Sequence, residues 1–284
     1  MALAAGALAA LAAGSVGVVI ATSGSGGPAH HAGLSPAAAA QQAAQQGAAA
    51  TWVAGQVDPA TVVSCDTAMC AALVTHGYPP ENMRKLSSAS ALKASSVVVV
   101  TPTARQLFGS SLVTAWAPDA LATFGSGSSG ISVRIVAPHG ATRYEQAVGK
   151  DQAALATAES ALLQAKSITA SRPAAQDLRS GHVDGRLMQA ITDAADAQPI
   201  DIAAFGNAGS GASPDVPLRY ADLVVSDSAT GMGVPAYVQA LQAGMDGGPG
   251  PRPARTQLLT QPGGQQVLRV EFLAPSPLGV LGNP

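Results

Sequence analysis

The sequence predicts an α/β protein: a small parallel-sheet α/β domain is followed by an α+β domain, behind an N-terminal apolar helix. Short apolar, β-branched runs such as Val97–Val100 alternate with segments of helical periodicity, as in sheets that helices cover on both faces. Pro138–Gly140 interrupts this alternation and divides residues 37–138 from residues 139–284. Pro262-Gly263-Gly264 then predicts a hairpin in the second part.

The N-terminal segment predicts contact with a membrane. Residues 2–22 carry no charged side chain, and as a helix they would span the ~30 Å hydrocarbon core of a bilayer. A transmembrane anchor is the first interpretation of residues 1–22 and a cleaved signal peptide the second, because no basic residue precedes the apolar run. Residues 23–36 predict a flexible linker. The expected location is the cell membrane, single-pass with an extracytoplasmic domain; the alternative is secretion.

The elements of the first half follow from capping and breaking residues. Ser35-Pro36 is typical of an N-cap followed by proline at the first helical position, so an Ala/Gln helix begins there. Asp58-Pro59 ends it. The further predicted elements are strands at 61–64, 97–100 and 131–136, and helices at 68–76 and 103–108.

The second half opens with a long helix over 144–166. Val148, Leu155 and Leu162 recur at seven-residue spacing and give this helix one apolar stripe. The further predicted elements are helices at 173–179, 183–197 and 234–243, strands at 200–205 and 218–225, and hairpin strands at 255–260 and 265–272.

The two cysteines predict a local disulfide. Four residues separate Cys65 from Cys70, and in a secreted context an isolated pair this close in sequence is typical of a disulfide. Two buried free thiols are the alternative. The spacing differs from the C-x-x-C of redox enzymes, and two cysteines alone make a poor metal site.

Composition and motifs exclude several classes of function. Net charge is -2 with Lys and Arg scattered singly, so no nucleic-acid partner is expected. Gly125–Gly130 matches G-x-G-x-x-G but leads into a strand, where a dinucleotide site needs a helix. Ser90 and Lys93 match S-x-x-K without its partner motifs, and the histidines lack zinc-binding spacing. We therefore expect no catalytic residue, no cofactor and no metal.

The first of two family resemblances covers Thr51–Val136. Trp52-Val53, Val97–Pro102 and Ala122–Gly127 resemble the soluble extracytoplasmic tail of actinobacterial membrane glycosyltransferases of the dolichyl-phosphate-mannose mannosyltransferase class. In that family the catalytic acid lies in the membrane-spanning part. The resemblance therefore implies a soluble accessory module without transferase activity.

The second resemblance covers Ile168–Leu223, which is similar to M15-like domains related to D-alanyl-D-alanine metallopeptidases. Within Ser213–Leu223, Arg219 and Asp222 match the family pattern, and Asp215 stands where the family has a zinc-binding histidine. A catalytic zinc needs three protein ligands, so the resemblance implies a fold kept without its chemistry. These three residues are the candidate remnant site. A salt bridge or loop brace is the alternative interpretation.

Together these observations predict a non-catalytic extracytoplasmic module of the cell envelope with a binding or scaffolding role. The alternatives are an envelope-polymer hydrolase, a glycosyltransferase accessory subunit, and a solute-binding module. The expected partners are an envelope protein or a glycan, and the membrane through residues 2–22.

Overall fold

A computed structural model describes residues 35–225 and 233–280. It contains two five-stranded mixed sheets with helices packed on them, so the predicted α/β class is confirmed. The apolar helix predicted at residues 2–22 lies outside the described residues. Among the residues that are described, no helix is long and apolar enough to cross a membrane.

The first sheet has the strand order β2-β1-β3-β5-β4. Its strands are β1 (Val63–Cys65), β2 (Met83–Lys85), β3 (Val97–Val100), β4 (Ala120–Phe124) and β5 (Ile131–Ile135). Strands β2, β1 and β3 are parallel, whereas β5 and β4 run antiparallel to their neighbours. The sheet is mixed, not purely parallel as predicted, because the turn over residues 125–130 reverses the chain into a hairpin.

Helices cover both faces of this sheet. They are α1 (Pro36–Gln56), α2 (Thr67–Thr75), α3 (Ala89–Lys93) and α4 (Pro102–Phe108). Val97 and Val99 pack with Trp52 of α1 in one core, while Val98 and Val100 belong to a second core beneath α3 and α4. All four valines are fully buried, which explains why β3 lacks any polar alternation.

The second sheet has the order β6-β7-β8-β10-β9, with only β6 and β7 parallel. Its strands are β6 (Ile168–Ala170), β7 (Ile200–Gly206), β8 (Tyr220–Val225), β9 (Arg255–Thr260) and β10 (Gln266–Glu271). The helices of this half are α5 (Ala141–Leu162), α6 (Arg172–Arg179), α7 (Gly185–Ala197) and α8 (Val234–Gly247). The predicted hairpin is confirmed, since Gly263 and Gly264 turn the chain between β9 and β10 with φ of 100° and 85°.

One face of the second sheet carries the core of this half. Leu187 and Ile191 of α7 and Leu241 of α8 pack there against Leu223 and Val270. Because side chains alternate along a strand, the neighbouring residues point to the opposite face. That face carries a set of largely polar side chains, including Tyr220, Asp222, Gln257, Arg269 and Glu271.

The two halves are joined through the segment 208–213. Trp52 Nε1 donates to the Ala208 carbonyl oxygen at 3.2 Å. The Thr123 amide donates to Gly211 O at 2.8 Å, so this segment lies along the outer edge of β4. Gly209 has φ +86°, and a Cβ there would lie 2.7 Å from the Trp52 ring, which makes glycine necessary at this contact.

The predicted disulfide is confirmed. Cys65 ends β1, Cys70 lies in the first turns of α2, and their Cα atoms are 5.3 Å apart. Cys65 is fully buried, so the bond fastens the start of α2 to the sheet.

Candidate functional site: a cleft at the carboxyl edge of the first sheet

The carboxyl ends of β1 and β3 lie side by side in the first sheet. From β1 the chain goes to β2 on one side and then returns to β3 on the other side. Helices α2 and α4 follow these two strands directly. In open α/β sheets, ligands bind at such points, where the strand order changes direction.

Two capping side chains fix the helix starts at this edge. Asp66 accepts the Met69 amide at 2.9 Å and also the Thr101 hydroxyl. Thr101 in turn caps α4 by accepting the Ala104 amide at 3.1 Å. Both caps are buried. The Asp66 carboxylate is therefore committed to holding α2 and α4 together and is not presented to a ligand.

Arg105 holds the glycine-rich turn in place. Its Nη2 donates to the Ser128 carbonyl oxygen at 3.0 Å and also to Gly130 O. Burial lowers the pKa of this guanidinium. Gly125 and Gly127 have φ of 74° and 65°, a conformation that glycine adopts readily and that lets the chain turn tightly here. The G-x-G-x-x-G segment thus connects β4 to β5 and leads into a strand.

A cleft of about 700 Å³ opens between α1, α4 and this turn. Amide and hydroxyl side chains supply most of its polar groups. Its lining is formed by Gln42, Pro102, Thr103, Arg105, Gln106, Gly127, Ser128 and Ser129. None of these described lining residues is a carboxylate, a histidine or a cysteine. The cleft can form hydrogen bonds with a ligand but offers no acid/base pair.

The candidate residue Asp222 lies on the polar face of the second sheet. It stands opposite Arg269, whose Nε and Nη2 donate to its carboxylate oxygens at 2.8 and 2.9 Å. Gln261 Nε2 donates to it at 3.2 Å. The Arg269 guanidinium lies 3.9 Å from the centre of the Tyr220 ring. Asp222 is 3% exposed, so these contacts occupy it fully.

The candidate residue Arg219 lies on the opposite, core-facing side. It is 2% exposed, and its Nη1 and Nη2 have no hydrogen-bond partner among the described residues. Burial lowers its pKa to about 10, and nearby Asp184 partly offsets this. Arg186 holds that Asp184 carboxylate at 2.7 Å and adds positive charge beside Arg219.

The third candidate, Asp215, is exposed in the loop before β8. The structure therefore places Asp215, Arg219 and Asp222 in three different surroundings and does not bring them into one cleft. Within residues 35–225 and 233–280, no three His, Cys, Asp or Glu side chains converge as a metal ion requires.

Glu159 has the largest pKa shift among the described carboxyl groups, and it lies outside both the cleft and the three candidate residues. Burial, together with nearby Asp177, raises the pKa of Glu159 on α5 to about 8. Glu159 is fully buried, and both of its carboxyl oxygens lack a hydrogen-bond partner. It lies where α5 packs against the other helices of the second half, so its ionisation bears on the stability of this half.

Sequence reasoning did not find the cleft residues Gln42, Arg105 and Gln106. The sequence does contain a signal for them. Arg105 lies one turn after the helix start at Thr101-Pro102, and a glycine-serine segment precedes the strand at Ile131. No family model, no curated protein and no solved structure matches this chain.

Proposed function

We propose that this chain is a non-catalytic extracytoplasmic module of the cell envelope that binds a neutral glycan in the cleft between α1, α4 and residues 125–130. The observation that carries this proposal is the set of neutral amide and hydroxyl side chains in a lining whose remaining surface is largely apolar. Gln42 and Gln106 each provide two N–H donors and an acceptor oxygen, and the Ser128 and Ser129 hydroxyls both donate and accept. Sugar hydroxyl groups require this mixture of donors and acceptors.

Charge in and around the cleft supports a neutral ligand. The Arg105 guanidinium is engaged by carbonyl oxygens of the turn, and Asp66 is engaged by the two helix caps. Asp66 does not line the cleft, and Arg105, which does, already directs its Nη2 to two carbonyl oxygens of the turn. Glycan hydrolysis uses a pair of carboxyl groups, and the described lining has none, which supports binding over cleavage.

Size and compartment agree with the same proposal. A cleft of about 700 Å³ falls within the range of small-ligand sites and suits a few sugar units better than a protein surface. The Cys65–Cys70 disulfide suits an oxidising compartment outside the cytoplasm. We include two further points in this proposal. The chain is attached to the membrane through residues 2–22. It acts as an accessory module of a glycosyltransferase, in line with the resemblance of Thr51–Val136.

Binding of the purified full chain to envelope polysaccharide tests the proposal. Changing Gln42→Ala and Gln106→Ala together should weaken binding roughly tenfold or more, because two hydrogen-bonding side chains are lost. Gln41→Ala is the matched control, since Gln41 is the exposed neighbour of Gln42 on α1 and does not line the cleft. It should bind like the unchanged protein.

The other outcomes separate the alternatives. Equal binding by the double variant would remove the cleft as the binding site. Release of new reducing ends from the polysaccharide would replace binding with hydrolysis. Binding of single sugars as tightly as polymers would favour a solute-binding module.

A further inference from the structure

Strand β9 is an exposed edge of the second sheet. It pairs with β10 on one side, and no described strand pairs with its other side. Five of its six residues are exposed. An edge of this kind presents unpaired N–H and C=O groups that can extend the sheet with another chain.

The usual features that block such an edge are missing from β9. Proline is absent between Arg255 and Thr260, and the six residue pairs with β10 run without a register shift. Its single charge lies at the first residue of the strand, where Arg255 Nη2 donates to the Gly55 carbonyl oxygen at 2.6 Å. Leu258 is 44% exposed on the strand. Natural edges are normally protected by prolines, bulges or charges.

We propose that β9 pairs antiparallel with β9 of a second copy of this chain, with the two-fold axis beside Leu258. In this register Leu258 faces its own counterpart, and Thr256 faces Thr260. Apolar pairs and threonine pairs of this kind stabilise antiparallel strands. Each Arg255 faces Gln261, so no like charges oppose one another. The second sheets of the two copies, which both contain β9, then form one continuous sheet.

Other registers of the β9–β9 pair give less favourable pairs of side chains. A slip by one residue would oppose side chains that point to different faces of the sheet. A slip by two residues toward the N-terminus centres the pair on Gln257, which places Leu258 against Thr256 and removes the leucine pair. The opposite slip centres it on Leu259 and keeps a leucine pair, but it places Thr256 against Pro262, which has no N–H to donate. The register centred on Leu258 therefore matches the sequence of β9 best. One pair of six-residue strands buries little surface, so the dimer is weak and concentration-dependent.

Cysteine crosslinking of the full chain tests this register. In the dimer the two positions 258 lie opposite each other, with Cβ atoms about 4.5–5.5 Å apart. Leu258→Cys should therefore form a disulfide-linked dimer under mild oxidation. Leu107→Cys is the control, because Leu107 is 64% exposed on α4, in the other half of the chain. It should stay largely uncrosslinked.

The mass of the full chain over a concentration series provides the second measurement. Leu258→Lys places two like charges at the axis, so the dimer should be lost, while Leu107→Lys should leave it intact. Circular dichroism confirms that both variants are folded. Equal crosslinking at positions 107 and 258, or a dimer that persists in Leu258→Lys, would overturn the proposal. A monomer at every concentration would do so as well.

Discussion

Asp222 and Arg269 face each other on β8 and β10 and are joined by two hydrogen bonds of 2.8 and 2.9 Å. The same guanidinium lies over the Tyr220 ring, so one arginine links a carboxylate and an aromatic ring across two strands. The buried Asp222 carboxylate is therefore held in place by its neighbours in the sheet.

Asp222→Ala is expected to lower the free energy of unfolding by about 1–3 kcal/mol, because Arg269 loses its charged partner. Asp215→Ala is the control: Asp215 is exposed, and its loss should change stability by less than about 0.5 kcal/mol. Urea denaturation measures both. The Asp222→Ala, Arg269→Ala double variant should lose less than the sum of the single losses. Equal losses from the two aspartate variants would contradict this account.

Glu159 makes stability depend on pH. Burial raises its pKa from 4.5 to about 8, so the folded state keeps the proton that the unfolded state releases. Below the unfolded-state pKa, Glu159 is protonated in both states, and its burial then makes stability no lower as the pH changes. Between the unfolded-state and folded-state pKa values, the free energy of unfolding falls by about 1.4 kcal/mol for each pH unit. Above the folded-state pKa, Glu159 is ionised in both states and the free energy falls no further on its account. The protein should therefore unfold at a lower temperature at pH 8 than at pH 5.

Glu159→Gln removes this ionisation and should flatten the pH profile of the unfolding temperature between pH 5 and pH 8. Glu145→Gln provides the control on the same helix, because Glu145 is exposed. Thermal unfolding at matched ionic strength gives both profiles. An unchanged slope in Glu159→Gln would mean that another group carries the pH dependence.

The Cys65–Cys70 disulfide should contribute about 2 kcal/mol, since it closes only a short loop in the unfolded chain. Replacing both cysteines with alanine should lower the free energy of unfolding by this amount. A reducing agent should produce a similar loss in the unchanged protein and none in the double variant. Sensitivity of the double variant to the reducing agent would show that the loss has another cause.

Arg105→Lys should loosen residues 125–130, because an ammonium group does not reproduce the planar fork that reaches Ser128 O and Gly130 O together. Hydrogen exchange should become faster in this turn and remain unchanged in β7. Arg143→Lys is the control at an exposed arginine on α5. Unchanged exchange in the turn would mean that its glycines hold their conformation without the arginine.

The residues explain which parts of the fold were predictable. The β3 valines predict a strand buried on both faces because two helical layers require apolar side chains on each side. Strands β2, β4 and β6 were not predicted, because none of them contains a run of apolar, β-branched residues like that of β3. Helix α5 begins at Ala141, earlier than predicted, because Gly140 starts it without a side-chain cap.

The candidate cleft could not be predicted in the same way. Its lining comes from three segments that are distant in sequence, namely α1, α4 and residues 125–130. When α1 and α4 are considered one at a time, Gln42 and Gln106 resemble solvated surface residues. They become a candidate site only because the order of the strands brings their helices to one edge of the sheet.

The C-terminal part of the chain completes the core of the first half, which matters for the synthesis of the protein. Ala274 pairs with Val57, and its amide donates to Gln56 O at 2.8 Å, while Val216 packs in the core of the first half. The core around α1 therefore cannot be completed until residue 274 has emerged. A nascent first half would wait with the β4 edge and part of its core uncovered. Folding should follow completion of the whole chain rather than proceed one half at a time.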